Sequence, residues 1–371
     1  MRRSLITACL LLATTSSALS ENLDALQQGL TRMPASVLAQ PVADQAYFVS
    51  IDAMNELQQS DAAARIFSRL VRGTDLTPLE SLAQTERKEW ETKAGVTIDK
   101  LRYFVGFGRP PATVTIWGLS DAAAADNMID ALQERGFESA GAGVFGNGEP
   151  MKFDPQKRDP ADPWRTMIGA AQFAAVKENT VVQANMPAYA ISTAGTQPGA
   201  GDNPIIGTAL AGLHSSVSDG RVVQAVVISP AFGITSIDPS LVLSPSADIA
   251  ETRKKIETQA AELGAGIPPY LGGIITDIQL ETPAVGISLA YGDCAIAQRA
   301  VDMIAQRWTT MAGDNAQGKI TAGTAEGIDG LCAATVKVVL AEPGIERNPA
   351  YAQILSSYFT RKAGILNIGT Q

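Results

Sequence analysis

Residues 111–132 read PATVTIWGLSDAAAADNMIDAL, and residues 283–304 read PAVGISLAYGDCAIAQRAVDMI. They align without a gap at an offset of 172, with six identities: the leading Pro-Ala pairs, Asp121/Asp293, Ala123/Ala295, Ala125/Ala297 and Asp130/Asp302. In each copy an apolar run ends at an aspartate, and a helical pattern follows. Ala122, Ala125, Ile129 and Leu132 share one face of the first helix; Cys294, Ala297, Val301 and Ile304 share one face of the second. Asp121 and Asp293 are therefore expected as N-caps, carboxylates that accept from the free backbone N–H groups of the first turn.

Outward from this unit, Asn185-Met186-Pro187-Ala188-Tyr189-Ala190 has a counterpart in Asn348-Pro349-Ala350-Tyr351-Ala352, each placing a proline in a helix's first turn. One disagreement stands against the repeat. Val114 and Ile116 align with Gly286 and Ser288, so the two preceding strands do not share a buried face.

The expected order is strand, helix, hairpin, helix, hairpin, helix in each half. The strands are read at 47–51, 101–107, 113–117, 222–228 and 333–340, with hairpins over 143–153 turning at Asn147-Gly148, over 173–183 turning at Lys177-Glu178-Asn179 and over 274–291 turning near Glu281-Thr282-Pro283, and a helix at 248–263. This predicts an α+β fold of two related halves, each an antiparallel sheet with helices packed on one face. The halves are 21–195 and 216–371. A linker of Gly, Pro and polar residues joins them over 196–215.

Residues 1–20 read as a secretory signal: Arg2 and Arg3, then an apolar stretch over 5–14, then a small-residue cleavage site at Ala18-Leu19-Ser20. That stretch is too short to span a bilayer, and no later segment reaches the roughly 20 apolar residues required, so a mature chain without a transmembrane segment is expected. Cleavage would remove Cys9 and leave Cys294 and Cys332 in a compartment that oxidises thiols. One disulfide is expected, closing a loop of about 39 residues for roughly 4 kcal/mol on the chain-entropy account.

The 371-residue chain carries 29 Lys+Arg against 38 Asp+Glu, a net charge of -9, with 46% hydrophobic residues. Such a composition excludes disorder for most of the chain. An acidic surface with no dense Lys/Arg cluster also makes nucleic acid an unsuitable partner.

Chemical motifs are sparse. His214 is the single histidine, and no serine sits in a complete G-x-S-x-G elbow; Ser120 and Ser288 come nearest. One histidine and two paired thiols cannot supply a standard zinc set, and no cofactor is expected. Residues 313–319 space glycines and a lysine like a phosphate loop, but Ile320 stands where Ser or Thr should hold magnesium. The proline-rich loop over 154–163 brings Asp154, Asp159 and Asp162 together, with Trp164 just beyond. It is a candidate contact or cation loop in which Trp164 is expected to be exposed.

The functional expectation is an exported, non-catalytic binding or protein-interaction protein of the bacterial cell envelope, periplasmic in the first instance and secreted in the second. Its partner would be an envelope protein or an unidentified ligand. The alternative is a periplasmic hydrolase using carboxylates or a serine.

Overall fold

The computed structural model describes residues 16–39, 45–57, 69–70, 76–109, 112–166, 168–217, 220–234, 266–360 and 362–369. Residues 1–15 of the expected signal, and the helix expected at 248–263, lie outside them.

The strands are β1 (Gln45–Ser50), β2 (Leu101–Arg109), β3 (Ala112–Leu119), β4 (Glu138–Gly141), β5 (Val144–Gly146), β6 (Phe173–Lys177), β7 (Thr180–Ala184), β8 (Arg221–Ile228), β9 (Gly272–Gln279), β10 (Pro283–Tyr291), β11 (Gly318–Glu326) and β12 (Cys332–Leu340). All twelve belong to one antiparallel sheet, ordered β11-β12-β10-β9-β8-β1-β2-β3-β7-β6-β5-β4. The two separate sheets expected from sequence are thus one. Pairing of β1 with β8, through Tyr47↔Val226, Phe48↔Ala225 and Val49↔Gln224, fuses them.

Outward from that junction the order is β1-β2-β3-β7-β6 on one side and β8-β9-β10-β12-β11 on the other. On each side a hairpin is followed by a helix, and a second hairpin then returns its later strand against the first. The intervening helices are α5 (Ala122–Glu134) and α9 (Cys294–Met311). Strands β4 and β5 extend the first side alone.

The remaining helices are α1 (Ser16–Arg32), α2 (Ile51–Leu57), α3 (Thr77–Leu82), α4 (Arg87–Ala94), α6 (Pro187–Ala194), α7 (Pro204–Ser216), α8 (Pro230–Ile234) and α10 (Pro349–Thr360). They cover both faces of the sheet, not one. A sheet whose central strands alternate apolar side chains up and down needs cover on each side. On the first face, α1, α6 and α7 bury a continuous cluster that runs beneath both halves, from Phe48, Val105 and Ile116 to Ala225, Ile274 and Ile278. On the opposite face the apolar core is split in two. One part gathers Trp90, Trp117 and Trp164 under α4 and α5; the other gathers Ile287, Leu289, Ile304 and Trp308 under α9 and α10.

Three further differences from the sequence reading have clear causes. The stretch read as a linker contains α7, whose Ile206, Ala209 and Leu213 are buried on the sheet. Its many small residues suit a close approach: a Cβ on Gly212 would stand 2.4 Å from Ser288 Oγ and 2.6 Å from Thr335 Oγ1. The expected turn at Asn147-Gly148 moves to Ala142-Gly143, where φ values of 51° and 75° form the two-residue loop between Gly141 and Val144. Asn147 is instead buried, donating to Trp164 O and accepting from Gln172 N. Strand β11, whose Gly, Thr and Ala residues show no strong alternation, falls outside the strand ranges read from sequence.

Candidate binding cleft

The two apolar clusters of the second face are separated by a line of buried polar side chains. Gln224 on β8, and Asp277 and Gln279 on β9, are 1%, 0% and 5% exposed. Their neighbours Ala225, Thr276 and Ile278 alternate to the other face. Asp277 and Gln279, two residues apart, share one side of a strand that also carries Ile274, Ile275 and Ile278, and this i, i+2 polar pair is the sequence signal of the line.

Arg69 meets this line from the first half of the chain. Its Nε donates to Asp277 Oδ2 at 2.8 Å and one Nη to Asp277 Oδ1; the remaining N–H groups reach Gln279 Oε1, Ile345 O and Ile278 O. All five guanidinium donors are used. Asp277 is equally occupied, because Gln224 Nε2 donates to Oδ2 at 2.8 Å and Asn348 Nδ2 to Oδ1 at 2.6 Å. Asn348 also donates to Ala284 O and accepts from Tyr351 N, which fixes the start of α10 above the sheet.

Among the described residues, two polar atoms here have no hydrogen-bond partner: Gln224 Oε1 and Tyr351 Oη. The Gln224 amide cannot flip to relieve this, since its nitrogen is committed to Asp277 Oδ2 and Arg69 O. Burial, with the neighbouring Asp277 charge, pushes the Tyr351 hydroxyl well above the usual tyrosine range, so it stays protonated.

Above this line opens a cleft of about 1180 Å³. Gln224, Asp277, Arg69 and Tyr351 contribute to its lining, as do Pro343, Ile345, Leu355 and Phe359, and the exposed Asp314, Glu342 and Arg347. Phe359 is 45% exposed. With every donor and acceptor of the ion pair engaged, its chemistry is that of a fixed floor. The walls offer apolar contact and the exposed lining residues offer charge.

The residues singled out from sequence lie elsewhere. Asp121 accepts from Ala124 N and Asp293 from Ile296 N, both at 2.8 Å, opening α5 and α9. The sulfurs of Cys294 and Cys332 lie at disulfide distance, with Cα atoms 5.0 Å apart, joining the first residue of α9 to the first of β12. Trp164 is not exposed. It is fully buried, stacked on Trp117 at 5.2 Å and 7°, with Nε1 donating to Ala94 O. An indole this large finds more contact in the cluster beside Phe137 than in water.

The carboxylates of the same loop are each engaged separately. Asp162 pairs with Arg135 at 2.6 Å, Asp159 with Lys93 at 2.8 Å and Asp154 with Lys157 at 3.7 Å. For Asp159, partial burial is the largest influence and pushes the carboxyl up, but the hydrogen bonds from Lys93 and Ala161 N, with the charges of Lys93 and Arg135, together hold the group below its ordinary range. Among the described residues, no group of three or more His, Cys, Asp or Glu is placed to hold a metal ion.

Ser120 Oγ donates to Asp121 Oδ2, Ser288 is buried in β10, and His214 is exposed on the last turn of α7. No hydrogen bond among the described residues joins His214 to either serine. No described helix is long and apolar enough to cross a membrane.

No protein-family model matches this chain, and neither a curated protein nor a solved structure shows significant similarity to it.

Proposed function

We propose that the protein is an exported, non-enzymatic binding protein of the bacterial cell envelope, that it descends from duplication of one α+β module, and that it works through the cleft above Asp277. The carrying observation is the saturation of the Arg69–Asp277 pair. A carboxylate that already accepts four hydrogen bonds has no site left for a substrate proton, and a guanidinium with five used donors cannot clamp an anion. What remains is a concave surface with apolar walls, the ordinary form of a binding site.

Export is supported by the charged and apolar pattern of residues 1–20 and by a cysteine pair at disulfide distance. Packing of α1 supports the same cut, since Leu23, Leu26 and Leu30, all buried, lie beyond Ser20 and would stay with the mature chain. Duplication is supported by the matched strand order on either side of the β1·β8 junction and by the paired caps Asp121 and Asp293. In this reading α7 is the counterpart of α1, each a helix on the first face that leads into a central strand, and the second module begins near Pro204.

The test is in two parts. Expression of the full chain in a Gram-negative host should release a periplasmic form whose mass begins at Glu21. A photo-crosslinking side chain at Ser356, exposed in the cleft lining, should form adducts in the envelope, whereas one at the exposed Asp302 should not. Retention of the chain in the cytoplasm, or equal adducts at both positions, defeats the proposal.

A further inference from the structure

Resting on that reading, we infer that the cleft's ligand is a peptide segment, uncharged or basic, whose backbone amides satisfy Gln224 Oε1 and Tyr351 Oη. Buried polar groups in native proteins are almost always paired, and leaving one unpaired is costly. Here both orphans belong to side chains that line one cleft, and their chemistry is complementary. Gln224 Oε1 can only accept, and the protonated Tyr351 hydroxyl can donate. A peptide backbone offers an N–H to the first and a C=O to the second.

The walls favour the same class. Pro343, Ile345, Leu355 and Phe359 provide apolar contact for side chains. A sugar would look for broad aromatic platforms, and among the described lining residues only Tyr351 and Phe359 are aromatic. Charge in the lining adds a sign: among the described lining residues the exposed carboxylates are Asp314 and Glu342 and the exposed cation is Arg347, on a protein of net charge -9. An acidic segment would be repelled and a basic one attracted.

The test presents the disulfide-intact chain, without residues 1–20, with a random mixture of acetylated, amidated hexapeptides and, separately, with malto-oligosaccharides. Affinity selection with mass spectrometry should recover peptides rich in apolar residues and Lys or Arg. Tyr351→Phe keeps the ring and removes only the orphan hydroxyl, so the fold should be as stable as before while peptide affinity falls about tenfold, the ratio for one buried hydrogen bond left unmade. Glu342→Lys, a change on an exposed loop, should erase the preference for basic peptides.

Recovery of no peptide, recovery of acidic peptides above basic ones, or equal binding by wild type and Tyr351→Phe overturns the inference. Retention of oligosaccharide in place of peptide also overturns it. If Ser356 adducts form in cells despite such a result, the binding reading survives and only the ligand class fails.

Discussion

Arg69 and Asp277, 208 residues apart in the chain, meet fork to fork in the interior of the protein, their side chains 2% and 0% exposed. This contact holds the first half of the chain against β9 of the second and, through Asn348, positions α10. Removing one partner of such a pair strands a buried charge at about 3–5 kcal/mol. Arg69→Met should therefore lower the urea-unfolding free energy by that amount, and Arg69→Met with Asp277→Leu should recover much of it. A double variant no more stable than the single would refute this account of the pair.

Trp117 lies between Trp90, at 5.9 Å, and Trp164, at 5.2 Å, and all three indoles are fully buried. Trp164→Ala should cost about 3–5 kcal/mol and weaken the near-ultraviolet dichroism of the stacked rings, leaving the contribution of the Trp90–Trp117 pair. An unchanged unfolding midpoint would mean that the 154–163 loop does not anchor through this residue.

Joining Cys294 to Cys332 restrains a sequence separation of 38 residues. Replacing both by alanine should lower stability by up to about 4 kcal/mol, read as a fall in melting temperature. Reductant should reproduce the fall in wild type and leave the variant unaffected.

Burial raises the hydroxyl pKa of Tyr270, Tyr291 and Tyr351. A raised folded-state value means that their contribution is complete below the unfolded pKa of about 10 and declines as pH climbs toward the folded one. Each tyrosine then steepens the loss by up to about 1.4 kcal/mol per pH unit. Alkaline unfolding should begin above pH 10 and shift upward in Tyr351→Phe, as followed by circular dichroism.

Asp121 shows the opposite linkage. Bonds from Ala124 N and then Ser120 hold its carboxyl below the ordinary value of 3.8, so the stability it confers is present above that value and disappears as pH falls through the folded one. Asp121→Ala should lower the melting temperature at pH 7, and the difference from wild type should vanish in strong acid. A difference that persists there would assign the effect to something other than the cap.

Local signals in the chain carried much of this architecture. Asp121 and Asp293 marked both helix starts because a carboxylate before an amphipathic run has a local reason to be there. The β2/β3 and β9/β10 hairpins followed from apolar runs bounded by turn residues. What local patterns could not carry was everything decided across the sheet. Val49 and Gln224 have no sequence relationship, yet their pairing turns two sheets into one. Gly212 looks like a linker glycine until Ser288 and Thr335 are seen against it. The cleft was hidden for the same reason: Arg69, Gln224, Asp277 and Asn348 come from four distant segments, and each alone reads as an ordinary polar residue.

The β1·β8 junction also bears on synthesis. Strand β1 emerges from the ribosome long before β8, and at about 5–20 residues per second the wait is roughly ten to thirty seconds. Throughout that interval its outward backbone groups are a bare template for any stray strand. A chain that folds only after translation ends has β8 at hand from the start, so the template can be covered as soon as it forms.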